Sequence, residues 1–140
     1  HDGIILYSET ISQKGNYSKG FDLTNLPDAN YYFEVENTKE INIIPFKVNS
    51  NEIAFENNEQ KIIKPMVRVE DNLVYISSIP TASNTLIIDI YYEGYDLAYT
   101  MKFKDIDSFS KVFDFSSSKK GNYIIEFEMD GRKISTSINI

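Results

Sequence analysis

The chain has no cysteine and no tryptophan, and its single histidine is the first residue. Without thiols there can be no disulfide, no thiolate nucleophile and no cysteine-built zinc site, and the redox compartment stays open. His1 is terminal and belongs to no motif, so the interior lacks the imidazole that general-base chemistry most often uses. Glycine (6) and proline (4) are sparse. No glycine-rich loop leads from a strand into a helix, and no serine sits in a nucleophile elbow. No apolar run approaches the roughly 18 residues of a membrane span, and no basic-then-apolar leader opens the chain. The expectation is a soluble chain without membrane insertion, although a mature exported protein would also lack its leader. Positive charge is short as well: 14 Lys and Arg against 21 Asp and Glu give a net charge of −7 and a pI near 4.7. That field repels phosphate backbones, so nucleic acid is not an expected partner. No enzyme activity, metal or cofactor is expected.

What is present is a β-forming composition: 41% hydrophobic residues, with ten Tyr and nine Phe in 140 residues. This suffices for one ordinary core or two small ones. No window sustains a 3.6-residue period, whereas Gly121-Asn122-Tyr123-Ile124-Ile125-Glu126-Phe127-Glu128 is a turn, a tyrosine and then apolar/acidic alternation, the pattern of a half-buried strand. Ala29-Asn30-Tyr31-Tyr32-Phe33-Glu34-Val35-Glu36 echoes it, with Tyr31, Phe33 and Val35 expected inward and Glu34 and Glu36 outward. His1-Asp2-Gly3 reads as a turn, Ile4-Ile5-Leu6-Tyr7 as a short strand, and 17–23 as a strand with Tyr17, Lys19, Phe21 and Leu23 on one face. The run 41–48 is strand-like, but Pro45 cannot donate to a ladder and is expected at an edge, a strand end or a bulge. Asn49-Ser50-Asn51 turns the chain, and the polar stretch 56–60 separates two units, 1–56 and 61–140.

The second unit predicts seven strands, at 64–70, 72–78, 85–92, 95–103, 109–115, 122–129 and 132–140. Asp71-Asn72 and Asp130-Gly131 form turns, and 79–84 forms a loop. Residues 17–36 laid on 109–128, a shift of 92, give eight identities in twenty: Ser18/Ser110, Lys19/Lys111, Phe21/Phe113, Asp22/Asp114, Asn30/Asn122, Tyr31/Tyr123, Glu34/Glu126 and Glu36/Glu128. Matched positions keep their face, and Tyr7 falls on Tyr99. The first copy thus begins mid-unit and holds counterparts of only the last four strands. The predicted fold is all-β: an antiparallel Greek-key β-sandwich of immunoglobulin-like kind, one complete unit preceded by an incomplete unit related to it by internal repeat.

Residues 61–140 resemble the small immunoglobulin- or fibronectin-III-like sandwich domains of unknown function in secreted and surface proteins of Gram-negative bacteria that use type IX secretion. The resemblance is carried by Lys64-Pro65-Met66-Val67-Arg68-Val69, Asn72-Leu73-Val74-Tyr75-Ile76, Leu86-Ile87-Ile88-Asp89-Ile90, Phe113-Asp114-Phe115-Ser116, Gly121-Asn122-Tyr123 and Ser137-Ile138-Asn139-Ile140. Phe21-Asp22-Leu23 and Leu26-Pro27-Asp28-Ala29-Asn30-Tyr31 match the later part of the same pattern. It implies export to the periplasm, the cell surface or the extracellular space, and no catalysis.

Tyr31 and Tyr123 stand where such sandwiches place a tyrosine corner, a structural role. The pairs Glu34/Glu36 and Glu126/Glu128 have the residue type of a glycosidase site, but alternating acids on a sheet read as solvated surface. Asp105, Asp107 and Asp114 match no calcium-loop spacing. Lys19 and Lys111, sharing a face with aromatics, read as inward lysines that protect edge strands. Tyr32, Tyr91 and Tyr95 are expected to point outward, where tyrosine stacks on sugars or proteins. The function expected is a non-catalytic exported or cell-surface module acting in binding or adhesion, with a protein or glycan partner. Two alternatives stand beside it: a spacer or accessory domain of a larger secreted protein, and an inhibitor or assembly subunit that pairs through edge strands. Self-association through the open edge or face of residues 1–56 belongs to the last.

Overall fold

A computed structural model describes residues 3–79 and 85–140 of the chain. The turn expected at His1-Asp2 and the loop expected over 80–84 lie outside the described residues. The fold is all-β, with eleven strands in three antiparallel sheets among the described residues. One sheet holds β1 (Ala29–Glu36), β2 (Glu40–Asn49), β3 (Glu52–Phe55) and β4 (Gln60–Ile63), with β1 on one side of β2 and both β3 and β4 on the other. The remaining strands are β5 (Met66–Glu70), β6 (Leu73–Ser78), β7 (Leu86–Tyr92), β8 (Asp96–Phe103), β9 (Phe109–Asp114), β10 (Asn122–Met129) and β11 (Arg132–Asn139). They form a three-stranded sheet in the order β5-β6-β9 and a four-stranded sheet in the order β11-β10-β7-β8.

These two sheets bury one shared core. Val74, Ile76, Phe109 and Phe115 from the first meet Leu86, Ile88, Ile90, Tyr123, Ile125, Phe127 and Met129 from the second. The alternation along each strand decides this, because every second residue of β7 and β10 is buried and the residues between are not. Turn chemistry sets the registers. Asp130 and Gly131 both take positive φ (52° and 71°), as do Ser50 and Asn51 (51° and 65°), the geometry of a two-residue hairpin whose twist matches its strands.

All seven strands expected in residues 61–140 are present, with ends moved by up to about two residues. The first is cut short. Residues 60–63 pair instead with Glu40–Ile43 of β2, so the break falls at Lys64-Pro65, where proline has no amide to continue a ladder. Pro45 is a second departure, for it lies inside β2, opposite Tyr32 of β1. Its carbonyl accepts a bond from the Glu56 amide at 3.1 Å, and the nitrogen and carbonyl of a strand residue point to the same side. The missing N–H therefore faces the interval between β3 and β4, which pair with residues 46–49 and 40–43. Pro45 occupies an edge in the middle of a central strand.

The strands expected at 4–7 and 17–23 do not form; residues 3–28 contain no strand. In the second unit their counterparts lie in β8 and β9, which pair with β7 and β6, and the first copy contains no counterpart of either. Without a neighbour the backbone has no ladder to join. Motifs closed within a few residues survive in both copies. The Tyr31 hydroxyl donates to the Pro27 carbonyl and the Tyr123 hydroxyl to the Lys119 carbonyl, each at 2.8 Å and each four residues back. Asp22 accepts from the Thr24 amide (3.1 Å) as Asp114 does from Ser116 (2.8 Å). Burial does not repeat: Phe33 is half-buried, and Tyr31 and Val35, expected inward, are less covered than their counterparts, Val35 being exposed.

Gly121 has a conformational role that its counterpart Ala29 lacks. It adopts φ 147°, and an added Cβ would lie 2.5 Å from a Glu93 carboxylate oxygen and 3.0 Å from the Tyr92 ring. Its backbone also exchanges two hydrogen bonds with Ile140, both 3.1 Å, closing the β10–β11 ladder beside the corner.

Tyr123→Phe is expected to lower unfolding stability by on the order of 1–3 kcal/mol, because the Lys119 carbonyl loses its donor in a part-buried setting. Tyr31→Phe, in the more exposed copy of the same contact, is expected to cost about 0.5 kcal/mol. Chemical-denaturation midpoints of the two variants measure the difference, and equal shifts would refute it.

Candidate functional site

The three tyrosines expected as a binding surface do not come together. Tyr32 sits on the face of β1 that also carries Glu34 and Glu36, with its hydroxyl close to Gly3. Tyr91 is half-buried on β7, between Ile124 of β10 and Leu97 of β8. Tyr95 is exposed in the β7–β8 turn. No ring contact joins the three among the described residues.

The alternating acids are engaged structurally. Glu34 pairs with Arg132 at 2.7 Å, Glu36 with Lys64, and Glu126 with Lys133 at 2.7 Å. The first two of these contacts tie β1 to β11 and to the Lys64-Pro65 break. On the same face Ile41 of β2 and Ile62 of β4 join the second unit's core, so the first sheet docks against the start of β11. A recess of about 570 Å³ remains there, lined by Tyr32, Glu34, Lys64 and Arg132 among others. No group of three or more metal-ligating side chains occurs among the described residues. Asp114 is committed to Ser116, whose backbone amide and side chain hold its carboxyl below the usual range.

Lys111 points to the inner face of β9, an edge strand, and its ammonium lies 5.0 Å from the centroid of Phe103 on the opposite sheet. Lys19, its counterpart, lies in no strand. It contacts Glu9 and Tyr7 and sits 4.4 Å from the Tyr7 ring centroid, while the Tyr17 hydroxyl donates to Glu9 at 3.0 Å. The Lys19 ammonium, followed by the Tyr7 and Tyr17 hydroxyls, pulls the Glu9 pKa down to about 2. The same contact raises that of Lys19. This cluster pins a segment that has no ladder.

Two further features bear on binding. One is a cleft of about 510 Å³ between the two sheets at the β8–β9 margin, lined by Tyr92, Tyr99, Phe113, Phe115 and Tyr123 with Asp96, Asp114 and Lys119 at its polar positions. A register shift between Ile90 and Tyr91 lies beside it, with Ile90 and Ala98 in its lining, and nothing in the alternation announces such a shift. The other is the apolar surface of the first unit. Rings run in contact from Tyr7 to Phe21, Phe33, Phe46 and Phe55, with centroids 5.0–5.8 Å apart. Phe46 and Val48 are buried beneath them, and Tyr7 and Phe21 of the strandless segment drape over this face. The drape is itself apolar: Ile4, Ile5 and Leu6 are 88%, 80% and 63% exposed. Exposure on this scale is what interaction surfaces look like. No protein-family model, curated protein or solved structure matches the chain.

Because the Glu9 carboxyl is depressed in the folded chain, its contact with Lys19 is complete above the ordinary glutamate range and is lost as pH falls toward about 2. An NMR titration of the Glu9 side-chain carbon is expected to show that low midpoint, with Lys19→Ala raising it toward the ordinary range. A normal midpoint in the unmodified chain would disprove the contact.

Proposed function

We propose that this chain is a non-catalytic, immunoglobulin-like β-sandwich module of an exported or cell-surface protein, and that it acts by binding another protein through its first unit. The observation behind this reading is the uncovered apolar surface of residues 3–55, where Ile4, Ile5, Leu6, Tyr7, Phe21, Val35 and Phe55 all stand exposed. A surface left open at that many large side chains is unfavourable in water unless a partner covers it. The second unit differs in having two sheets packed face to face over one core, to which the first sheet adds Ile41 and Ile62. Export rests on the resemblance of residues 61–140.

A second reading is favoured by the aromatic cleft at the β8–β9 margin. Rings flanked by Asp96, Asp114 and Lys119 suit a ring-shaped polar ligand such as a sugar, which stacks by its apolar face and hydrogen-bonds by its rim.

An environment-sensitive hydrophobic dye separates the two. It is expected to light up on the intact chain and to lose most of that signal in the double variant Ile5→Asp, Leu6→Asp, while Tyr99→Ser leaves it unchanged. A glycan array is expected to be silent. Array binding abolished by Tyr99→Ser, without dye uptake by the first unit, would replace the first reading with the second.

A further inference from the structure

The repeat supplies a template for what the first sheet lacks. In the second unit β10 is interior: β11 pairs on one side and β7 on the other, with Tyr123 opposite Tyr92, Ile125 opposite Ile90 and Phe127 opposite Ile88. Its counterpart β1 pairs with β2 where β10 has β11, and with no strand among the described residues where β10 has β7. Among the described residues no backbone hydrogen bond reaches that free edge. The effect on burial is direct. Tyr123, Ile125 and Phe127 are 4%, 0% and 1% exposed, whereas at the matching positions Phe33 is only half-buried and Val35 is 52% exposed. Residues 4–7, the counterpart of a stretch of β8, supply no strand to fill the interval.

The edge is also undefended. Natural edge strands resist addition by being short, bulged, or armed with inward charge or proline. Three other edges carry such devices: β3 has four residues, β8 carries a register shift, and β9 turns Lys111 inward, while the long edge strand β11 meets the first sheet through Arg132 and Glu34. By contrast β1 runs eight residues in unbroken register, contains no proline, and has Glu34 and Glu36 already neutralised by Arg132 and Lys64.

We infer that the free edge of β1 is a strand-acceptor site, which takes an extended segment of a partner protein antiparallel to β1. This rests on the reading that the first unit carries the binding surface. The strand that β7 lends to β10 defines the chemistry of the guest: aliphatic or aromatic side chains at alternate positions opposite Tyr31, Phe33 and Val35, and polar ones between. Main-chain bonds supply affinity and the alternate apolar positions supply selectivity. The guest comes from a different protein rather than a second copy. The chain's own β7 is locked in its core, with Leu86, Ile88 and Ile90 at 0–3% exposure, Ile4-Ile5-Leu6-Tyr7 lacks the alternation, and copies carrying −7 each repel.

The test uses the full 140-residue chain and a synthetic peptide with the sequence of Leu86–Tyr92, flanked by lysines for solubility. Amide hydrogen exchange is followed residue by residue. At a peptide concentration about ten times its Kd, amides on the free side of residues 29–36 are expected to exchange about tenfold more slowly, since only the unbound chain exchanges there. The same peptide carrying Asp89→Pro is expected to give no protection. Val35→Lys, a change at an exposed position that places an inward charge on the edge, is expected to abolish protection while exchange at Ile125 and Phe127 stays unchanged. Absence of protection over 29–36, or protection that survives Val35→Lys, would overturn the site. Concentration-dependent protection of the same amides without peptide would overturn the assignment to a different protein. If the dye signal behaves as expected but the peptide fails, the binding surface stands and the strand-acceptor inference alone falls.

Discussion

A β-strand is a shared object: its amides and carbonyls are satisfied only when a neighbour lies alongside. That requirement governs this molecule more than any side-chain preference does. Ser18-Lys19 and Phe21-Asp22 recur as Ser110-Lys111 and Phe113-Asp114, yet the second set lies in a strand with β6 beside it, and the first set lies in no strand at all. The difference is not in the residues but in what is present to pair with them.

This also separates what was legible in the sequence from what was not. The seven strands of residues 61–140 could be read because alternation and turn chemistry are local, and because their partners lie within the same stretch of chain. The tyrosine–carbonyl contacts at Tyr31 and Tyr123 and the Asp22 and Asp114 turns are likewise closed within four residues. What alternation could not reveal was pairing between distant segments: the capture of residues 60–63 by β2, the place of Pro45 inside a central strand, and the failure of 4–7 and 17–23. The outward tyrosines were legible one by one, Tyr32 and Tyr95 being exposed and Tyr91 half-buried, but not how they stand to one another. Pointing outward is a property of one strand, whereas forming a platform depends on which strands stand side by side. The cleft at the β8–β9 margin was invisible because its lining is drawn from β7, β8, β9 and β10, which are distant in sequence.

The two units are unequal in how they satisfy their apolar faces. The second closes on itself, with the corner at Tyr123 and the constrained Gly121 fixing how β10 enters the sheet. The first commits one face to its neighbour, through Ile41, Ile62 and the Glu34–Arg132 pair, and covers the other with a segment held by rings and by the Glu9–Lys19 contact. Such a cover has few backbone bonds, and segments of that kind open at low free-energy cost.

The pairing pattern of β2 carries a further consequence, for the order of assembly. Its bonds to β1 and β3 span only residues 29–55, and contacts of short sequence separation close fast. The second unit cannot finish β6 until residue 114 arrives, nor β7 until residue 128 does. During synthesis from the N-terminus, the meander of β1, β2 and β3 is therefore complete while the strands that will anchor Ile41 and Glu34 are still unmade. The nascent chain passes through a stage in which the docking face of its first sheet is wet.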